Sequence, residues 1–294
     1  MNHQAPEKRD AEVFLMARPR LFAVAYRMLG SVADAEDILQ EAYLRWQSAP
    51  RGEVRNATGY LMRVVTRLCL DVLKSAQAQR ESYTGAWLPE PLLTEDPPER
   101  LDHDVSVALL LALERLTPLE RAAFLLHDVF GGSYGEVAQA LGRSPAACRQ
   151  LAARARRHVQ ADRPRAALQP EDARALTEAF FRASKTGDTA ALTQLLAEDA
   201  EMVSDGGGKV MAAFNPIRGR DKVMRLAAGL ARKSGAALPE RWRFCTLNGL
   251  PAILSKEPDG LVQAMALEIR EGRIRRIYVT RNPDKTRHLA AALG

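Results

Sequence analysis

The sequence predicts a multidomain chain: two consecutive all-α domains followed by an α+β domain. Three observations carry this. Apolar residues recur at helical spacing through about 10–80 and again through about 100–160. Proline and glycine interrupt that pattern at 81–99 (Gly85, Pro89, Pro91, Pro97, Pro98) and at 161–170 (Pro164, Pro170), where a long helix cannot continue. The last block, 171–294, begins with helical spacing and then breaks into alternating runs. These are Arg241–Leu247, Pro251–Ser255, Leu261–Arg270 and Arg273–Thr280. Asn248-Gly249, Asp259-Gly260 and Glu271-Gly272 separate them and read as hairpin turns, because glycine supplies positive φ at little cost.

Composition narrows the function classes. The 294 residues carry a net charge of +6. Arg143, Arg149, Arg154, Arg156, Arg157, Arg163 and Arg165 cluster against the single acid Asp162, a local field suited to a polyanion. Cys69, Cys148 and Cys245 are scattered, with no CxxC or zinc spacing, which suits a reducing cytoplasm. No run of eighteen apolar residues occurs, and the polar first ten residues do not read as a signal peptide, so no membrane association is expected. No phosphate-binding loop or nucleophile elbow is present, and no histidine lies between His158 and His288. Neither an enzyme activity nor a metal or cofactor is therefore expected.

In the first block, Ala35, Ile38, Leu39, Ala42, Tyr43 and Trp46 form a buried helical stripe. Ser31 or Asp34 is placed to cap it. A neighbouring stripe carries Asp37, Gln40, Glu41 and Leu44. A second helix, about 58–74, turns Leu61, Val64, Val65, Leu68 and Val72 inward and Tyr60, Arg63, Arg67 and Lys74 outward. Aromatic and basic residues on one face suit single-stranded DNA. Arg55 and Asn56 in the preceding loop are placed to meet a phosphate and a base edge.

In the second block, Leu113–Val159 reads as four helices. Ser133 and Glu136 form a capping box, Gly142 ends that helix, and Ser144 with Pro145 starts the next. Cys148, Leu151, Ala152, Ala155 and Val159 face inward. Ala146, Ala147, Arg149, Gln150, Ala153 and Arg154 face outward. This is a helix-turn-helix whose second helix offers small residues for groove approach and Arg and Gln for guanine and adenine edges.

The stretch LFAVAYRMLGSVADAEDILQEAYLRW, 21–46, resembles region two of extracytoplasmic-function RNA polymerase sigma factors; its specific part is Ala35–Glu41. The resemblance implies that Asp37, Gln40, Glu41 and Leu44 bind core RNA polymerase. Asn56–Lys74 resembles the helix that melts and reads the minus-ten element, so Arg55, Asn56, Tyr60, Arg63 and Arg67 are implied as its promoter DNA contacts. Residues 116–144 resemble region four, which implies that Ala146, Ala147, Arg149, Gln150 and Arg154 read the minus-thirty-five element.

Ordinary members of that class stop near residue 160–170. Here the third block resembles a SnoaL-like cone, and three strings resemble those of the SigJ-like group: Trp87-Leu88-Pro89-Glu90-Pro91, Asp205-Gly206-Gly207-Gly208-Lys209 and Asn282-Pro283-Asp284-Lys285. That resemblance implies that the extension regulates the sigma activity in cis through Trp87, Pro89, Pro91, Asp205, Gly206, Gly207, Gly208, Lys209, Asn282, Pro283, Asp284 and Lys285. Trp87 is expected to be the aromatic anchor of the linker, and the glycines to admit a close approach that side chains would block. Thr286 departs from the group's usual leucine and is expected to weaken an apolar contact. Cone folds often enclose a pocket, so a small ligand is a candidate partner. Two competing readings remain: a stand-alone helix-turn-helix regulator, which would not need the Asp37–Leu44 stripe, and an enzyme in the third block.

Overall fold

The computed structural model describes residues 4–50, 54, 56–81, 83–94, 106–159 and 169–293, with side chains at 4–9, 76–81 and 170 excluded. The described residues form two compact units. One is built from the helices of 4–81 and 106–159; the other combines 83–94 with 169–293. Residues 83–94, within the stretch expected to be a linker, are therefore structurally part of the second unit.

The first unit contains α1 (Gln4–Leu29), α2 (Val32–Gln47), α3 (Ala57–Glu81), α4 (Val107–Glu114), α5 (Pro118–Phe124), α6 (Tyr134–Leu141) and α7 (Pro145–Val159). Ser31 caps α2 by accepting from the Asp34 N–H, and Ala35, Ile38, Leu39, Ala42 and Trp46 are buried as their spacing requires. A π-helical turn, Leu125–Val129, extends α5. The two helical blocks pack as one body. Arg121, only 2% exposed, donates from Nη1 to the Met28 carbonyl at 2.6 Å and pairs with Glu114 at 2.7 Å, joining α5 to the end of α1. Arg20 likewise donates to the Phe130 carbonyl at 2.6 Å.

The second unit runs α8 (Pro170–Thr186), α9 (Thr189–Leu195), β1 (Leu196–Asp205), β2 (Ile217–Arg218), α10 (Arg220–Lys233), β3 (Arg241–Leu247), β4 (Leu250–Lys256), β5 (Val262–Arg270), β6 (Arg273–Thr280), α11 (Pro283–Thr286) and a final 3₁₀ turn, Arg287–Leu293. One six-stranded sheet has the order β2-β1-β6-β5-β4-β3. All neighbours are antiparallel except β1 and β6. The β3–β4 and β5–β6 turns place both Asn248-Gly249 and Glu271-Gly272 at positive φ, as tight hairpins demand. Helices cover one sheet face, where Phe180, Phe181, Leu192, Met202, Ile253, Met265, Leu267, Ile277 and Val279 pack together. These apolar side chains pack together in the interior of the unit. The C-terminal 3₁₀ turn packs on β3, β4 and β5, with Leu289 fully buried.

Candidate functional site

On α2, Asp37 and Gln40 are exposed, Leu44 is 57% exposed, and Glu41 is half-buried. Glu41 forms an i,i+4 pair with Arg45 at 2.8 Å. These four residues share one face of α2, with Leu44 exposed among polar neighbours.

The residues expected at the minus-ten element have mixed placements. Arg55 lies outside the described residues. Asn56 caps α3, accepting from the Gly59 N–H at 3.0 Å. Tyr60 sits against Trp46, with ring centroids 5.8 Å apart, and Arg63 lies over the Tyr60 ring at 5.8 Å. Arg67 is exposed, yet its guanidinium donates to the Gln139 and Ala140 carbonyls at 3.2 and 3.3 Å, at the end of α6. It is engaged within the protein, a role the outward-facing position did not reveal. Arg20, Asn56, Tyr60, Arg63, Phe130, Glu136 and others line a cleft of about 670 Å³ between α3 and the α5–α6 segment.

The helix-turn-helix forms as its caps require. Ser133 and Glu136 make the reciprocal capping box, and Gly142 adopts the left-handed conformation at φ 62°. Those hydrogen bonds hold the Glu136 carboxyl below its ordinary pKa. Ser144 accepts from the Ala147 N–H at 3.2 Å, starting α7. Cys148, Ala152, Ala155 and Val159 are buried, while Ala146, Arg149, Gln150 and Arg154 are exposed and Ala147 half-buried.

The three strings singled out in the sequence meet around Asp205, which is fully buried. Its carboxylate accepts from the Tyr83 hydroxyl (2.5 Å), the Leu88 N–H (2.9 Å), the Gly207 N–H (3.0 Å) and Lys285 Nζ (2.8 Å). Lys285 also donates to the Leu88 carbonyl and lies over the Trp87 and Tyr83 rings, 4.4 and 4.9 Å from their centroids. Asn282 donates to the Tyr83 hydroxyl at 3.0 Å. Burial, with the adjacent Asp205 charge and hydrogen bond, raises the Tyr83 pKa and keeps it protonated. Lys209 pairs with Asp284 on the exposed rim.

Leu88, 1% exposed, is buried more deeply than its neighbour Trp87, which is half-buried and covers Lys285. Pro89 and Pro91 are buried. Sequence reasoning missed Tyr83, Glu90, Thr94 and His288. Beyond Pro91 the segment joins β3: Leu93 bridges Leu247, the Thr94 N–H donates to the Thr246 carbonyl, and the Asn248 side chain accepts from the Leu92 N–H. His288 closes the far side, bonded to the Pro91 carbonyl at 2.8 Å and the buried Glu90 carboxylate at 3.1 Å. A side chain at Gly207 would collide with Asn282, and one at Gly208 with Thr84. The glycines therefore do admit a close approach. Thr286 is buried and donates to the Asn282 carbonyl at 3.2 Å, so its hydroxyl is satisfied locally.

Comparison with known proteins follows the same division. A Sigma-70 region 2 family model matches residues 13–79 and a Sigma-70 region 4 model matches 106–159. The chain is 40% identical over 291 residues to the ECF RNA polymerase sigma factor SigJ of Mycobacterium tuberculosis, covering 94% of this chain and 93% of that protein. It is 34% identical over 290 residues to the probable ECF RNA polymerase sigma factor SigI of the same organism, covering 94% of each. The crystal structure of M. tuberculosis SigJ superposes with a TM-score of 0.76 at 35% identity, covering 94% of this chain and 98% of that one. With both sigma regions matched and the similarity to SigJ running over 94% of its length, the chain belongs to the extracytoplasmic-function RNA polymerase sigma factors and is a homologue of SigJ.

Proposed function

We propose that this sigma factor binds core RNA polymerase through the α2 face of Asp37, Gln40, Glu41 and Leu44. It meets the minus-ten element with the Arg55–Arg67 segment and the minus-thirty-five element with Ala146, Ala147, Arg149, Gln150 and Arg154. Its C-terminal domain regulates these activities in cis. The observation that supports this last element is the Asp205 clasp: the chain joining the two sigma regions is held at residues 83–94 by the C-terminal unit. A domain that grips this joining segment limits how far the two DNA-binding regions, which pack together in one unit, can move apart.

The test is in vitro transcription with bacterial core polymerase and a promoter library, comparing the full chain with Asp205→Ala and Lys285→Met. Altered transcript yield with unchanged footprints supports cis control. Equal yields, with protease cleavage showing the 83–94 segment released, would overturn it.

A further inference from the structure

Arg149, the exposed arginine in the first turns of α7, does not stand alone in the structure. Its guanidinium carbon lies 5.8 Å from the centroid of the Tyr134 ring, which projects from the first residue of α6. That ring is itself immobilised. His127 stacks on it with centroids 3.8 Å apart and planes at 25°. The His127 Nδ1 sits 2.7 Å from the Gly132 carbonyl, an acceptor, so this nitrogen carries the proton and fixes the imidazole. The Tyr134 hydroxyl accepts from Arg156 Nη2 at 2.9 Å, and Arg156 is in turn tethered to Asp128 at 2.5 Å. The α6 end from which Tyr134 projects is held by the Ser133–Glu136 capping box.

We infer that Tyr134 is a positioning and specificity-determining residue for minus-thirty-five readout: its ring is a fixed platform that pre-orients Arg149, and its hydroxyl orients Arg156. The inference rests on the reading of α7 as the minus-thirty-five helix. An exposed arginine has many rotamers, and bidentate recognition of a guanine edge uses very few of them. A cation–π contact costs no donor, because the guanidinium N–H groups remain available at the plane's edge. The two halves of Tyr134 thus serve different ends. The ring sharpens choice of base through Arg149, whereas the hydroxyl, together with Asp128, holds Arg156 seven residues further along α7.

The experiment uses holoenzyme reconstituted from core polymerase and the full chain, and reads base preference by enrichment from a pool of promoters randomised through the minus-thirty-five element. Four variants are compared: Tyr134→Leu, Tyr134→Phe, Arg149→Ala and the Tyr134→Leu/Arg149→Ala double. Tyr134→Leu is expected to lose about two- to fivefold of discrimination at the same base position that Arg149→Ala affects. The double variant should be no worse there than Arg149→Ala alone, the signature of one residue acting through another. Tyr134→Phe keeps the ring and should retain the preference. Strictly additive losses, or loss of the preference in Tyr134→Phe with unchanged melting temperature, would overturn the platform role. Unchanged base preference in Arg149→Ala would instead show that the underlying assignment of Arg149 is wrong.

Discussion

Four hydrogen bonds converge on the Asp205 carboxylate, and no solvent reaches it. Removing one member of such a buried, charge-assisted set leaves the others desolvated and unpaired. Asp205→Ala is therefore expected to destabilise the second unit by about 3–5 kcal/mol, read as a lower denaturant midpoint; a loss under about 1 kcal/mol would mean the clasp is not closed in solution. Gly207→Ala meets two penalties at once, a positive φ of 63° and a collision with Asn282, so it should release the same segment with every clasp side chain intact. Limited proteolysis at residues 83–94 measures it, and wild-type resistance would refute it. At this scale the sequence was informative where residues are chemically distinctive: Asp205, the glycines, Asn282 and Lys285 all lie at the clasp. It did not single out Leu88, because a proline-rich segment has no helical or strand period from which to read which side chain points inward. Trp87 and Leu88 are adjacent, and only the fold shows that Leu88 is the buried one.

At the scale of elements, caps and turns carried the most information. Ser133, Glu136, Gly142 and Ser144 occupy the helix ends that their chemistry requires. Ser133→Ala should cost about 1 kcal/mol in thermal unfolding of the first unit. Elements lacking such signals were not legible. β2 has two residues, too few to show alternation, and the π turn at Leu125–Val129 looks like ordinary helix in sequence. The bond from the C-terminal turn back to the linker was equally hidden, because His288 lies far from Glu90 in sequence. Its titration has a definite sign. Burial alone would lower the His288 pKa, but hydrogen bonds to Glu90 and the Pro91 carbonyl, with the Glu90 charge, outweigh it and raise the value above the ordinary 6.5. A raised folded pKa stabilises fully below the unfolded value, and the benefit disappears as pH rises through the folded one. Protease protection of residues 83–94 should thus decline across that window above pH 6.5. His288→Gln should show no such decline; an identical pH profile would remove His288 from the clasp.

At the scale of the whole molecule, the helical and α+β blocks were legible from periodicity and turn residues, but their grouping was not. Sequence breaks mark where helices stop, not which unit binds the intervening chain. The 83–94 segment looks like a spacer and is instead a structural part of the second unit. Arg67 shows the same limit on a smaller span, since nothing local reveals that its partners are carbonyls of α6. The grouping has a functional consequence. In the proposed function, regions two and four engage two separate promoter elements at once. A tether partly immobilised on a folded domain samples fewer separations than a free chain of the same length. Wild-type holoenzyme should therefore show a narrow optimum when the spacer between the minus-ten and minus-thirty-five elements is varied one base pair at a time. Asp205→Ala or Gly207→Ala should broaden that optimum without moving base preference within either element. Identical spacer profiles for wild type and released variants would show that the clasp is already open in the initiating complex, which would confine its regulatory action to the free factor.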